Sequence, residues 1–175
     1  MAVRPHRTTR WTPAAIPVGL LLMLLGAWAF FVPLVGPYFD FGFFTDSRWS
    51  FSTRHWELLL LPGLAVFAGG LLLTMPARAA GRLATLLAVA GGTWLLVGPS
   101  LYPLWTSTDQ VQVATGHSDT LRSLLWIGYF YGTGALVVLA AGFGRGLLAR
   151  RRAVDEMPVI EETPAPEEHA VTRAY

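Results

Sequence analysis

The sequence predicts an all-α integral membrane protein, a four-helix bundle followed by a disordered cytoplasmic C-terminal tail. Composition is the first observation behind this prediction: 53% of the 175 residues are hydrophobic and only 14% are charged, whereas a soluble domain carries about 25% charged residues. The charges also gather into short blocks between four long apolar runs. Since the chain has no cysteine, a disulfide- or thiolate-based site is excluded.

Each apolar run is long enough to cross a bilayer. The runs cover residues 14–35, 58–75, 83–102 and 123–143. At 1.5 Å per residue the first reaches about 33 Å, more than a hydrocarbon core of about 30 Å. Strands of a membrane barrel would be about 10 residues long and would alternate in polarity. None of the runs contains a charged residue or alternates in this way, so each is predicted to form a helix.

Arginine predicts the orientation, because the chain has no lysine. Most arginines lie in the basic N-terminus, residues 1–13, in the short turn after the second run, and directly after the fourth run. The positive-inside rule then places both termini in the cytoplasm and the two long loops, 38–56 and 104–121, outside. The protein is therefore predicted to be a multi-pass protein of the cell membrane. A cleaved signal peptide is disfavoured because the first apolar run exceeds the usual core of about 7–15 residues.

The chain divides into the N-terminus, a transmembrane domain of residues 14–146, and a cytoplasmic segment, 147–175, with a basic rim and an acidic tail. The tail begins at Asp155 and carries six acidic residues against a single arginine, Arg173. Three prolines in the tail disfavour a helix. This composition is typical of a disordered segment.

An internal repeat is suggested by a pattern that recurs at a constant offset of 66 residues. Both the first and the third run contain Gly-x-Trp-x4-Pro-x3-Pro, beginning at Gly26 and at Gly92. Continued without a gap, the same offset places leucines of the second run on leucines of the fourth: Leu58, Leu59 and Leu73 on Leu124, Leu125 and Leu139. Two helices return the chain to the same side, so the repeats would be parallel helical hairpins.

The repeat resembles the SPW-repeat family of small bacterial membrane proteins, whose units pair two helices around Gly-x-Trp-x4-Pro. The residues that carry this resemblance are Gly26, Trp28 and Pro33, and again Gly92, Trp94 and Pro99. Val32-Pro33-Leu34 and Gly98-Pro99-Ser100 stand where the family has Ser-Pro-Trp. The resemblance implies an integral membrane location in a bacterium and supplies neither an activity nor site residues.

Four polar residues of the external loops are the candidates for chemistry. His55 and Glu57 precede the second run, and His117 and Asp119 precede the fourth. Together they could offer nitrogen and oxygen ligands to one divalent ion. The alternative interpretation is that they contact lipid headgroups, with Glu57 capping the first helical turn. We favour this second interpretation, so no catalytic residue, cofactor or metal site is predicted.

Close helix packing is predicted from glycine. Gly69 and Gly70 in the second run, and Gly128 and Gly132 in the fourth, should let neighbouring helices of the same bundle approach. The runs have almost no polar residue at depth, which disfavours a pore or pump.

The predicted function is a non-enzymatic accessory or scaffolding protein of the bacterial cell envelope. Its predicted partners are the lipid bilayer and a membrane or cytoplasmic protein, bound through helix faces or the acidic tail, and no nucleic acid. Two alternatives remain open. One is a small transporter or channel component, and the other is an envelope enzyme or metal-responsive protein that uses the external His, Asp and Glu residues.

Overall fold

The computed structural model describes residues 15–39, 42–43, 49, 51–75, 78–104, 113–114 and 118–155. Within these residues, four helical segments are long and apolar enough to cross a membrane. They are span 1, Ala15–Phe39; span 2, Thr53–Thr74; span 3, Ala80–Leu104; and span 4, Asp119–Arg150. The predicted all-α, four-helix membrane fold is confirmed. The prediction of a disordered tail concerns residues that lie almost entirely outside the described part of the chain.

The spans combine α-helix with shorter helical turns of other types. The α-helices are Ala15–Val35, Thr53–His55, Leu61–Thr74, Arg78–Leu101, Asp119–Trp126 and Thr133–Asp155. Spans 1 and 3 end in 3₁₀ turns, Gly36–Phe39 and Tyr102–Leu104. Spans 2 and 4 each contain a π-helical turn, Trp56–Leu60 and Ile127–Gly132. Both of these spans begin four or five residues before the apolar runs that predicted them.

Serine explains why spans 2 and 4 begin early. Ser118 takes the N-cap position of span 4, where its hydroxyl accepts a hydrogen bond from the Leu121 amide at 3.3 Å. Ser52 occupies the corresponding position of span 2. A serine N-cap satisfies an amide that the first helical turn leaves unpaired. The helix can therefore start in the polar loop rather than at the first apolar residue.

The four spans form a closed ring in which each packs against the next and span 4 returns to span 1. Small residues line the contacts between spans. A Cβ atom on Gly70 would lie 2.6 Å from the Gly19 carbonyl oxygen, and one on Gly69 would lie 2.7 Å from the Ala84 carbonyl oxygen. Backbones this close give the van der Waals contact that holds helices together in lipid. The predicted packing role of Gly69 and Gly70 is therefore confirmed.

Large apolar side chains point outward instead. The most exposed include Leu24, Leu86, Leu139 and Phe143, each at least 64% exposed. A soluble bundle would bury such side chains. An apolar exterior around a small-residue interior is the arrangement that a lipid environment requires.

The two helical hairpins pack internally in the same way. In the first, a Cβ on Gly63 would lie 3.1 Å from the Gly26 oxygen and 2.9 Å from the Phe30 nitrogen. In the second, a Cβ on Gly134 would lie 2.8 Å from the Gly92 oxygen and 3.1 Å from the Leu96 nitrogen. The first helices of the two hairpins thus correspond at an offset of 66 residues, as Gly26 and Gly92 do. The second helices correspond at an offset of 71, as Gly63 and Gly134 do.

This packing corrects the gap-free offset expected for the second and fourth spans. The π-helical turns also begin 71 residues apart, at Trp56 and Ile127. Buried Leu58 therefore corresponds to buried Tyr129 rather than to Leu124, which is 61% exposed. The extra five residues belong to the second external loop. Leucine matches in apolar helices carry little information on register, whereas contacts between glycine backbones define it.

Two short strands join the external loops. β1 (Gly42–Phe43) pairs antiparallel with β2 (Val113–Ala114), with Gly42 opposite Ala114 and Phe43 opposite Val113. At the offset of 71, each residue faces the counterpart of its own neighbour. This reciprocal pairing is the one a twofold axis produces when it passes between two strands. The hairpins are thus related by a quasi-twofold axis along the bundle, which agrees with the parallel arrangement expected from the sequence.

Replacing Gly70 with alanine is expected to destabilise the bundle by about 1–3 kcal/mol, because the new methyl group would overlap the backbone of span 1. Thermal unfolding of the purified protein in detergent measures this loss. Gly142→Ala is the matched control, since nothing lies within 4 Å of its Cβ position. Equal losses in the two variants would contradict the glycine contacts described here.

Candidate functional site

The polar end of the bundle holds three of the four residues predicted as candidate ligands. His55 is buried, with 1% of its surface exposed. Its Nδ1 atom lies 2.7 Å from the Ser52 hydroxyl. Ser52 occupies the N-cap position, yet its hydroxyl makes no hydrogen bond to a helix amide. The serine side chain is instead engaged with the imidazole, so the pair anchors the start of span 2 beneath the external loop.

Glu57 does not cap the helix, contrary to the expectation from the sequence. The helix begins at Thr53, so Glu57 is its fifth residue and lies in the π-helical turn. Its side chain is half-buried. The backbone carbonyl of Glu57 has the clearer structural role, described below.

Asp119 lies in a different environment from His55. The Asp119 side chain is fully exposed, and its carboxylate lies 3.5 Å from the Arg122 guanidinium one turn along the same helix. An exposed pair of this kind contributes little to stability. His117 lies outside the described residues. Among the residues the structure describes, no three His, Asp or Glu side chains form a group that could hold a metal ion.

Trp94 binds the carbonyl oxygen of Glu57. Its indole Nε1 donates a hydrogen bond to that oxygen at 2.7 Å, joining span 3 to span 2. The reason lies in Pro62. The π-helical turn bonds each carbonyl to the amide five residues on, as Leu61 does to Trp56, and the donor for Glu57 would therefore be Pro62, which has no N–H. Trp94 supplies the missing donor.

Tyr129 satisfies a second carbonyl in the same manner. Pro33 lies inside the helix of span 1, so the carbonyl of Ala29, four residues earlier, has no helical donor. The Tyr129 hydroxyl donates to this oxygen at 2.5 Å and joins span 4 to span 1. Both groups are buried. In lipid, a backbone carbonyl without a partner costs several kcal/mol, so this contact matters for the closure of the ring.

The two bonds lie at the two interfaces between the hairpins. Trp94 joins spans 3 and 2, while Tyr129 joins spans 4 and 1. Among the described residues, no buried side-chain nitrogen or oxygen lacks a hydrogen-bond partner. The buried polar side chains of this part of the chain therefore hold the helices together and leave no unpaired group directed at a ligand.

The glycines of the π-helical turn in span 4 do not pack within the bundle. Gly128 has no atom within 4 Å of its Cβ position, and Gly132 meets only the carbonyl of Ile127 in its own helix. The expectation that this pair brings another helix of the bundle close was wrong. Gly134, two residues further on, makes that contact with Gly92.

The sequence contained a signal for part of this site. A proline within an apolar run identifies the carbonyl that loses its donor, so Pro33 implicates Ala29 directly. Tyr129 could not have been identified as the new donor, because that depends on the register between spans 1 and 4. The same limit applied to Trp94, whose acceptor follows from a π-helical turn that no residue pattern announced.

The comparisons with known proteins add no relative. No protein-family model matches the chain, and neither a curated protein nor a solved structure matches it. The resemblance to SPW-repeat proteins stays a prediction. The fold nevertheless defines a class, the multi-pass membrane proteins built from a closed bundle of four helices.

Trp94→Phe is expected to destabilise the protein by about 1–3 kcal/mol, the cost of leaving the buried Glu57 carbonyl unpaired. Thermal unfolding in detergent measures the change. Trp28 is the matched control, since it occupies the corresponding position in span 1 and is 54% exposed. Trp28→Phe should change the melting temperature little, and an equal effect of the two substitutions would argue against the carbonyl bond.

Tyr129→Phe is expected to cost a similar amount, because the Ala29 carbonyl loses its donor. Restoring the helical amide should compensate, so the cost of Tyr129→Phe should be smaller in a Pro33→Ala background than in the wild type. A double-mutant cycle on the four proteins measures this coupling. Additive effects of the two substitutions would show that Pro33 and Tyr129 do not act on one carbonyl.

Proposed function

We propose that this protein is a non-enzymatic structural component of a bacterial cell envelope, an accessory or scaffolding subunit embedded in the cell membrane. The observation that carries the proposal is the use made of its interior. Glycines bring backbones into contact at the interfaces between neighbouring spans, and the buried polar side chains are engaged with one another or with freed carbonyls. Such an interior stabilises a shape rather than performing a reaction.

Contacts at all four interfaces of the ring support this proposal. The examples above cover spans 1 and 2, spans 2 and 3, and spans 3 and 4. At the fourth interface, a Cβ on Gly144 would lie 3.1 Å from the Val18 side chain of span 1. Transport normally requires polar or ionisable groups at mid-membrane. The polar groups described at depth, Thr85 and Thr133, are buried, and Thr85 bonds the Gly81 carbonyl of its own helix at 2.9 Å.

The proposed orientation has both termini in the cytoplasm. Arg82 lies near the start of span 3, and Arg145 and Arg150 lie near the end of span 4. These residues share the end of the bundle that holds the short turn between spans 2 and 3. The positive-inside rule makes this the cytoplasmic end. The acidic tail would then be available to a cytoplasmic protein.

We further infer that the two hairpins descend from one duplicated helical hairpin. Support comes from the matching glycine contacts, the matching positions of the 3₁₀ and π-helical turns, and the reciprocal pairing of β1 with β2. These three features concern different parts of the chain and agree on the same pair of offsets. A chance recurrence of Gly, Trp and Pro would not produce that agreement.

A scaffolding role predicts that a partner co-purifies with the protein. Crosslinking the full chain in its native membrane should capture a defined protein, and removing residues 156–175 should release a partner that binds the tail. The melting temperature of the truncated protein should be unchanged, since the removed residues lie outside the bundle. Absence of any partner, together with solute flux in liposomes, would replace the proposal with a transporter or channel. Turnover of a lipid or peptide would replace it with an enzyme.

A further inference from the structure

We infer that the groove between spans 3 and 4 at the arginine-rich end binds the headgroup of an anionic phospholipid between Arg82 and Arg145. The inference does not depend on the scaffolding proposal, because a lipid of this kind could occupy the groove whatever the bundle does. It rests on the placement of the two arginines, on their charge, and on the apolar surface that continues from them into the membrane.

The two arginines lie at nearly the same depth. Spans 3 and 4 run antiparallel, since Gly92 faces Val137 while Gly81, eleven residues earlier, faces Leu148. Arg82 follows Gly81 by one residue, and Arg145 precedes Leu148 by three. At 1.5 Å per residue, both lie on the mid-membrane side of the Gly81–Leu148 contact, and their backbones differ in depth by about 3 Å.

Both arginines also lie on the same side of that contact. Successive residues of a helix are about 100° apart, and the sense of rotation is reversed for two antiparallel helices seen from one end. Arg82 and Arg145 therefore turn towards the same outer face of the groove. Gly144 turns to the opposite, inner face, where it meets Leu73 and Val18. The side chains of Arg82 and Arg145 are both exposed.

The charge of this pair is not compensated within the described structure. The acidic side chains that the structure describes are those of Glu57 and Asp119, and both belong to the opposite end of the bundle. No ion pair to Arg82 or Arg145 is formed among the described residues. Two unpaired guanidinium groups at the level of the headgroups are complementary to a phosphodiester, which accepts two hydrogen bonds from each fork of an arginine.

The groove continues into the membrane as an apolar surface. Val89 lies seven residues after Arg82 and shares its face of span 3, while Gly142 lies three residues before Arg145 and shares its face of span 4. Gly142 is exposed and has nothing within 4 Å of its Cβ position. It leaves room for an acyl chain beside span 3. An amphiphile with an anionic head therefore matches the groove along its whole length, whereas a free anion would match only the arginines.

Lipid titration of the full chain in a neutral detergent tests the inference, with bound lipid counted by native mass spectrometry. The probes are phosphatidylglycerol, phosphatidylcholine and inorganic phosphate. Phosphatidylglycerol should bind more tightly than phosphatidylcholine. Each of Arg82→Gln and Arg145→Gln should weaken its binding about fivefold, since an arginine near an anionic lipid surface contributes about 1 kcal/mol. The double variant should lose about 25-fold on the same basis.

Arg150→Gln is the matched control. Arg150 is exposed and lies on span 4 two residues beyond Leu148, which turns it about 200° from the groove contact. Its replacement removes the same charge from the same end and should leave phosphatidylglycerol binding within about twofold of the wild type. A loss as large as that of Arg145→Gln would show general attraction by the basic end and would overturn the site.

Two further outcomes would also overturn the inference. Equal binding of phosphatidylglycerol and phosphatidylcholine would show that the headgroup charge is not recognised. Competition by inorganic phosphate at the same concentration as the lipid would show that the arginines bind a free anion and that the groove contributes nothing. The variants should melt at the wild-type temperature without added lipid, because neither arginine is buried.

Discussion

A backbone carbonyl cannot remain unpaired in an apolar environment, and this constraint accounts for how the two hairpins are joined. Pro33 and Pro62 each leave one carbonyl without its helical amide. Tyr129 and Trp94 reach these carbonyls from neighbouring spans. A hydrogen bond that a single helix would normally make internally is thus made between two helices. The prolines therefore create the acceptor sites that link one hairpin to the other.

Glycine contacts within each hairpin complement these links. Lipid tails give helices no hydrophobic reason to associate, so the approach of backbones must supply the van der Waals attraction. The contact of Gly63 with Gly26, and of Gly134 with Gly92, places the helices of each hairpin in one register. Only in that register do the aromatic donors reach their carbonyls. Packing and hydrogen bonding are therefore coupled rather than independent contributions to stability.

The number and type of the elements could be predicted from the sequence, because long uncharged apolar runs have one stable form in lipid. The starts of spans 2 and 4 could not, since Ser52 and Ser118 extend these helices into polar loops. The register of the second hairpin was also missed, because leucines repeat too often to define an offset. Of the candidate ligands, His55 is buried and Asp119 is exposed, a difference that depends on tertiary packing and that neighbouring residues do not reveal.

The quasi-twofold axis has a consequence for how the sequence can vary. In a dimer of identical hairpins, every substitution would occur twice, once in each subunit. Here the corresponding positions are encoded separately, so one can change while the other is kept. His55 corresponds to Trp126 and Pro62 to Thr133 at the offset of 71. Joining two equivalent hairpins in one chain therefore allows a single buried histidine and unequal ends of the same bundle, which a symmetric assembly could not contain.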